Sequence, residues 1–238
     1  MKKVAVLQSN YLPWKGYFDL IHDVDVFLFY DQVQFTKSDW RNRNRVKTAA
    51  GVKWLTVPVG SHIHRRIDQV EIHDKVWAAK HWKSLQQSYS KAPHFHRYQD
   101  YLRWFYLDNQ WSSLSFMNQQ LTQHVARDWL GISTEFAQAP KFGDELRRQD
   151  RLLAVLHSVG AGLYVSGPAA KAYLETDRFS AASIDVLWKD YSGYPVYDQF
   201  YPPFEHAVTI LDLLFHVGPD APWYVWGWRD EARATARA

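Results

Sequence analysis

Two uninterrupted apolar runs, Val4-Ala5-Val6-Leu7 and Val26-Phe27-Leu28-Phe29-Tyr30, bracket one amphipathic stretch near the start of the chain. Short runs without polar interruption predict strands covered on both faces, as in a parallel sheet. Parallel neighbours need a crossover, and the stretch between them supplies one. Pro13 suits a first helical turn, and Trp14, Tyr17, Phe18, Leu20 and Ile21 recur at helical spacing up to about Asp23. Strand, helix and strand within about thirty residues make a βαβ unit, which commits the chain to the α/β class.

Further along, Lys53-Trp54-Leu55-Thr56-Val57-Pro58-Val59 has strand composition, and residues 46–59 predict a hairpin turning at Ala50-Gly51. From Val76 to Trp129 the apolar spacing is helical, with room for two to four helices. Residues 137–144 read as a loop. Beyond them come a helix over 146–158, a strand over 163–165, a helix over 169–174 and a strand over 184–188. A last helix is predicted from Phe204 to Val217, closed by Gly218, after an irregular stretch containing Gly193, Pro195, Pro202 and Pro203. The tail from Arg229 to Ala238 is expected to fray. The expected architecture is one α/β domain over 1–238, a Rossmann-like, mostly parallel sheet with βα alternation, a basic β-hairpin and a helical insertion at about 75–131.

Composition removes several chemistries. The chain has no cysteine, which excludes disulfides, thiol nucleophiles, iron–sulfur clusters and thiolate zinc sites. Lysine and arginine total 28 against 25 acidic residues, a net charge of +3, too small a surplus to indicate general nucleic-acid binding. The apolar residues after Met1-Lys2-Lys3 are too few for a signal peptide, and no run approaches the ~18 residues of a membrane span. A cytoplasmic protein without membrane insertion is therefore expected. Aromatic residues make up 16%, enough both to fill a core and to line a cleft.

The turn between the first strand and its helix is the first candidate site. Ligands of open α/β sheets bind outside the carboxyl ends of strands, and a helix N-terminus favours phosphate or carboxylate. Gln8, Asn10 and Tyr11 offer hydrogen bonds there, Lys15 a charge, Gly16 close backbone approach and Trp14 a flat face. The same residues also suit an ordinary turn with Trp14 and Tyr17 in the core. A second candidate is the basic stretch from Lys37 to Lys53. If Arg41-Asn42-Arg43-Asn44-Arg45 is extended, its arginines share one face and its asparagines the other. Arginine binds phosphate in a fork, and Trp40 and Phe35 supply stacking surfaces. The alternative is a solvated hairpin edge protected by charge. Asp31 and Gln34 follow the second strand, and Asp31 is the best-placed general base by sequence.

A third strand-to-helix turn, Tyr164-Val165-Ser166-Gly167-Pro168-Ala169-Ala170-Lys171, offers Ser166, Gly167 and Lys171 to an anion, or is simply a capped turn with a surface lysine. His62/His64 and His94/His96 have spacings that suit metal binding but lack a defined third partner, so no metal site is expected. Asp19 and Asp212 lie within apolar helical stretches and are expected to be paired or hydrogen-bonded.

Three long strings carry a resemblance. They are Gln8 to Ile21 with its continuation Asp31-Gln32-Val33-Gln34-Phe35 and Arg41-Asn42-Arg43; Tyr164 to Leu174; and Tyr197-Asp198-Gln199 with Ile210 to Gly218. Together they resemble the WbqC-like family, named after a gene product of bacterial O-antigen clusters, over nearly the whole chain. Ser9 stands where the family pattern suggests proline, and His206-Ala207 where it suggests a small polar pair. The resemblance implies a place in lipopolysaccharide O-antigen, other surface-polysaccharide or natural-product biosynthesis, in which amino sugars are made and acylated.

With that context, the expected function is transfer of an acyl or aminoacyl group to the amine of a sugar nucleotide. Lys15, Arg41, Arg43 and Lys171 would hold phosphate or carboxylate, and Tyr11, Trp14 and Trp40 would pack on base or sugar. Asp31 would take the amine proton, while Gln8, Gln34 and Ser166 orient the carbonyl. A phosphate-bearing small molecule is the expected partner, with tRNA a candidate aminoacyl donor. No pattern names a cofactor or sets the oligomeric state. The rival reading is a non-catalytic protein that binds a nucleotide or another anionic ligand of the same pathway.

Overall fold

The structure is a computed structural model that describes residues 1–142, 146 and 148–229. Strand β1 (Lys3–Leu7) leads through a turn into helix α1 (Lys15–His22) and then β2 (Val26–Phe29), the expected βαβ unit. An antiparallel hairpin follows, β3 (Arg43–Thr48) and β4 (Gly51–Thr56), with Arg43 opposite Thr56 and Thr48 opposite Gly51. Three helices come next: α2 (Val76–Tyr89), α3 (Phe95–Arg103) and α4 (Leu114–His124). The latter two run on into wider π turns, Trp104–Asp108 and Val125–Trp129. The chain then forms β5 (Glu135–Gln138), α5 (Arg148–Ser158), β6 (Leu163–Ser166), α6 (Thr176–Ala181), β7 (Asp185–Trp188) and α7 (Ile210–Val217).

The main sheet has the order β5-β2-β1-β6-β7, and every neighbouring pair is parallel. Its first three strands in chain order run outward from β1 on one side, and the last two return to the other. This is the Rossmann order, in which the direction of winding reverses beside the first strand. The hairpin and helices α2 to α4 all belong to the single crossover from β2 to β5.

Alternation along the strands explains why the apolar runs are unbroken. Ala5, Phe27, Phe29 and Val165 enter one core with α1, α7 and the crossover helices. Val4, Val6, Val26, Leu28 and Tyr164 enter a second core with Val155, Leu156 and Phe179 of α5 and α6. Both faces of the central strands are thus covered, as a parallel sheet requires.

Three expectations need correction. The stretch read as a loop from 137 to 144 begins inside β5, where Phe136 and Ala137 pair with Phe27 and Leu28; residues 143–145 lie outside the described set. The last helix starts at Ile210 rather than Phe204. Thr209 caps it by accepting the Leu211 amide, so the apolar residues before Thr209 belong to the connection. The predicted helix over 169–174 is a 3₁₀ turn, Pro168–Ala172, and the helix proper is α6. Of the tail expected to fray, only Arg229 is described. Among the described residues, no helix is long and apolar enough to cross a membrane.

Candidate functional site

In a sheet of this order the crevice opens outside the carboxyl ends of the two strands flanking the reversal, here β1 and β6. A cavity of about 790 Å³ lies there, on the face covered by α5 and α6. Gln8 enters it from the end of β1, Tyr30 from the end of β2, and Ser166 and Gly167 from the end of β6. The 3₁₀ turn and α6 complete the wall with Ala169, Glu175 and Arg178. Ser166 Oγ donates to the Tyr164 hydroxyl at 3.2 Å, and burial pushes the Tyr164 phenol up to about 12. Arg178 is paired with Asp150, while Glu175 accepts from Gln149 at 3.2 Å. The fold therefore brings Gln8, Ser166 and Gly167 together from turns about 160 residues apart in sequence, as the switch point of such a sheet demands.

Other residues of the first turn point elsewhere. Asp31 is buried and takes three donors: the Ser9 amide at 2.7 Å, Gln119 Nε2 at 2.8 Å and the Ser115 hydroxyl. It lines neither the switch-point cavity nor the two cavities on the hairpin side. Tyr11 is fully buried, its hydroxyl bonded to His81 Nδ1 at 2.8 Å and to the Tyr106 hydroxyl at 2.7 Å. Asn10 Oδ1 accepts from Arg41, and Arg41 also lies 3.6 Å from Asp39. Gly16 is covered by the Trp14 indole, which would meet an added Cβ at 2.3 Å. Trp14 in turn packs edge-on against Tyr191 and Tyr194.

Lys15 has the most unusual surroundings. Its side chain is buried, and Nζ has no hydrogen-bond partner among the described residues. The ammonium faces the rings of Tyr194 at 4.9 Å and of Tyr197 and Phe204 at 5.7 Å, an aromatic cage of the kind that binds cations. Burial lowers its pKa to about 8, against a partly offsetting attraction from Asp212. Asp212 itself accepts from Tyr197, Gln199 and Tyr89 at 2.6, 2.7 and 2.8 Å. Asp19 accepts from Lys189 at 2.6 Å and Arg229 at 2.9 Å. Both acidic residues are thus hydrogen-bonded, as residues of this type inside apolar helices should be.

The hairpin gathers a separate set. Asn42 and Asn44 are buried, whereas Arg43 and Arg45 lie over the Trp54 ring, so the predicted alternation holds for these four; Arg41, expected on the same face, lies in the turn before β3 and reaches Asn10 and Asp39 instead. Trp40 lines a cavity with Asn10 and Trp14 and a second with Arg43 and Trp54. Gln34 is exposed and bridges to Arg66 through its backbone. Lys171 is also exposed, with Nζ 5.8 Å from the Trp188 ring. Neither lines these cavities. Tyr30, Glu175, Arg178 and Trp54 are wall residues that the sequence did not single out. Trp54 was findable, because a tryptophan opposite an arginine in a hairpin must share its face.

The sequence model of the WbqC-like protein family matches residues 8–224. The chain belongs to the WbqC-like family. The matched span begins at Gln8, in the cavity wall, and takes in all three groups of residues described above. A relative named Uncharacterized protein Rv1507c, from Mycobacterium tuberculosis strain ATCC 25618 / H37Rv, is 46% identical over 227 residues, covering 94% of this WbqC-like chain and 98% of its own. No solved structure matches it.

Proposed function

We propose that this WbqC-like protein is an enzyme that holds a nucleotide-linked amino sugar in the switch-point cavity and transfers an acyl or aminoacyl group to its amine, within surface-polysaccharide or natural-product biosynthesis. The observation that carries the reading is the cavity itself, about 790 Å³ outside the ends of β1 and β6, the place where open α/β sheets bind nucleotide-like ligands. Gln8 and Ser166 offer hydrogen bonds to the substrate, and Gly167 leaves the backbone open to close approach. In the reaction the amine nitrogen bonds to the acyl carbon, the bond from that carbon to the donor's leaving group breaks with its electron pair, and one amine proton departs.

Two wall carboxylates are available to take that proton. Asp150 is paired with Arg178, whereas Glu175 has no ion pair among the described residues, so Glu175 is the base in this reading. Asp31, with three donors on its oxygens, positions the turn.

The test is a thermal-shift titration with a uridine-diphosphate amino sugar on the native protein and on Ala169→Trp, which narrows the cavity from an exposed position. A ligand at a hundred times its Kd stabilises the native state by about 2.7 kcal/mol. The native protein should show such a shift and the variant should not. Incubation with activated acyl donors should then yield the N-acylated sugar by mass spectrometry. Absence of a shift with any nucleotide-linked amino sugar, or an equal shift in the variant, removes the cavity from the reading. Binding without turnover would make the protein a carrier.

A further inference from the structure

The hairpin carries an arrangement that neither the core nor the switch-point cavity explains. Trp40 and Trp54 are each 41% exposed, with ring centroids 5.4 Å apart and planes inclined at 39°. In the β3–β4 register Arg45 stands opposite Trp54, and Arg43 is diagonal to it on the same face. The Arg43 guanidinium carbon lies 4.2 Å from the Trp54 ring centroid. That of Arg45 lies 5.8 Å from Trp54 and 5.9 Å from Trp40. The Nε atoms of both arginines are shielded from solvent and have no hydrogen-bond partner among the described residues, an arrangement that is costly unless something else receives those donors.

Two carboxylates offset part of this charge without meeting it in a close ion pair, and Asp39, which Arg43 attracts, is itself a wall residue of the adjoining cavity. Asp39 is occupied by Thr36 at 2.6 Å, the Trp40 amide at 2.7 Å and Arg41 at 3.6 Å. Glu205 reaches Arg45 only at 4.0 Å. Between the two indoles and the two guanidinium groups lies a cavity of about 330 Å³, and Trp40 is also a wall of the neighbouring 280 Å³ cavity beside Asn10 and Trp14.

We propose that this tray is a nucleotide-binding site separate from the switch-point cavity, in which a nucleobase stacks on Trp40 and Trp54 while its phosphate pairs with Arg43 and Arg45. Flat indoles accept any base by its face, and arginine meets phosphate oxygens with two parallel donors. A neutral sugar would use the indoles but leave the two guanidinium groups with only the distant carboxylates of Asp39 and Glu205 as counter-charge. The site does not depend on acyl transfer or on what fills the other cavity. Two sources carry the required chemistry, a free nucleoside phosphate and the unpaired end of an RNA.

The experiment uses the full chain with three probes: adenosine monophosphate, a short fluorescein-labelled single-stranded oligoribonucleotide, and inorganic phosphate. Binding is read by calorimetry or fluorescence anisotropy. The variants are Trp54→Ala, Trp54→Phe and Arg43→Gln, with circular dichroism to confirm folding, and Ala169→Trp as the control for the other cavity. Trp54→Ala should weaken binding about tenfold or more, because one base–aromatic stack is removed, and Trp54→Phe should weaken it less. Arg43→Gln should weaken it and flatten its salt dependence, while Ala169→Trp should leave it unchanged.

Comparable affinity for both nucleotide probes indicates a mononucleotide site. Affinity for the oligonucleotide at least tenfold tighter, with a steeper salt slope, indicates an RNA end. The proposal is overturned if neither nucleotide probe binds, if inorganic phosphate binds as well as they do, or if binding is lost in Ala169→Trp but kept in Trp54→Ala. That last result would leave the switch-point reading standing.

Discussion

The Asp31 carboxylate accepts the Ser9 amide at 2.7 Å, which ties the segment after β2 to the segment after β1 at the very edge of the switch point. Ser115 and Gln119 of α4 donate to the same group, so one buried carboxylate couples two strand ends to the crossover helix. Removing it leaves the Ser9 amide and the Ser115 hydroxyl buried without an acceptor, each at a cost of about 1–3 kcal/mol, while Gln119 Nε2 keeps Ser115 Oγ at 2.9 Å. Asp31→Ala should therefore lose several kcal/mol, a fall in Tm of about 5–10 °C for a chain of this size. Asp31→Asn keeps one acceptor oxygen but turns an amide group toward a donor, and should fall between the two. A variant with native Tm and abolished activity would instead return Asp31 to the role of proton acceptor.

Gly16→Ala sets two effects of opposite sign against each other. Within a helix the exchange normally stabilises by up to about 1 kcal/mol. Here the new Cβ would lie 2.3 Å from the Trp14 ring, so the indole must leave its packing against Tyr191 and Tyr194. Displacing a packed group of that size costs about 1–3 kcal/mol, and the net change should be destabilising. Chemical denaturation of Gly16→Ala, Trp14→Leu and the double variant checks this: the alanine should be harmless once the indole is gone. Additive losses would show that Gly16 acts through something other than Trp14.

The parts of the fold that were legible are those in which local pattern and tertiary environment agree. Val4 to Leu7 and Val26 to Phe29 are buried on both faces, and the pattern has no polar interruption to mislead. Strand β5 was missed because Glu135 and Gln138 are exposed at the sheet edge, leaving two adjacent apolar residues and no detectable period. The last helix was drawn too early because Phe204 and Val208 look helical, whereas Thr209 marks the start through its cap. Within the site, the turns after β1 and β6 were visible as separate motifs, but their meeting depends on strand order. No local pattern encodes that order. The same limit explains why Lys15 read as a ligand-facing charge: the rings of Tyr194, Tyr197 and Phe204 that enclose it come from a connection about 180 residues away, which no periodicity places.

His81 gives the fold an acid limit. Burial lowers its pKa from 6.5 to about 4, and the neutral ring bonds to the Tyr11 hydroxyl at 2.8 Å. Between pH 6.5 and 4 the unfolded chain binds a proton that the folded one does not, so stability falls as pH drops through this window and levels off below it. A pKa lowered from 6.5 to about 4 corresponds to about 3 kcal/mol. Urea denaturation between pH 7 and 4 should show the loss in the native protein and a shallower one in His81→Gln. Equal slopes would mean that other groups set the acid limit.

Lys15 works in the opposite pH range. Below pH 8 the folded and unfolded chains both hold its proton, and the fold keeps an ammonium in a site that disfavours it. Between about 8 and 10.5 the folded chain releases the proton while the unfolded chain retains it, so this group makes stability rise with pH. Buried tyrosines such as Tyr89 and Tyr197, whose pKa values are raised by burial and by Asp212, act in the reverse sense near pH 10, because the unfolded chain loses their protons first. Comparing the native protein with Lys15→Met cancels their contribution, since both proteins carry them. The stability of the native protein relative to the variant should therefore climb by about 2–3 kcal/mol between pH 8 and 10.5, with the variant no less stable at pH 7. Parallel curves would show that the cage and Asp212 together hold the ammonium without penalty. An anion that raised the native protein's stability at pH 7 but not that of Lys15→Met would identify what Nζ meets when a ligand is present.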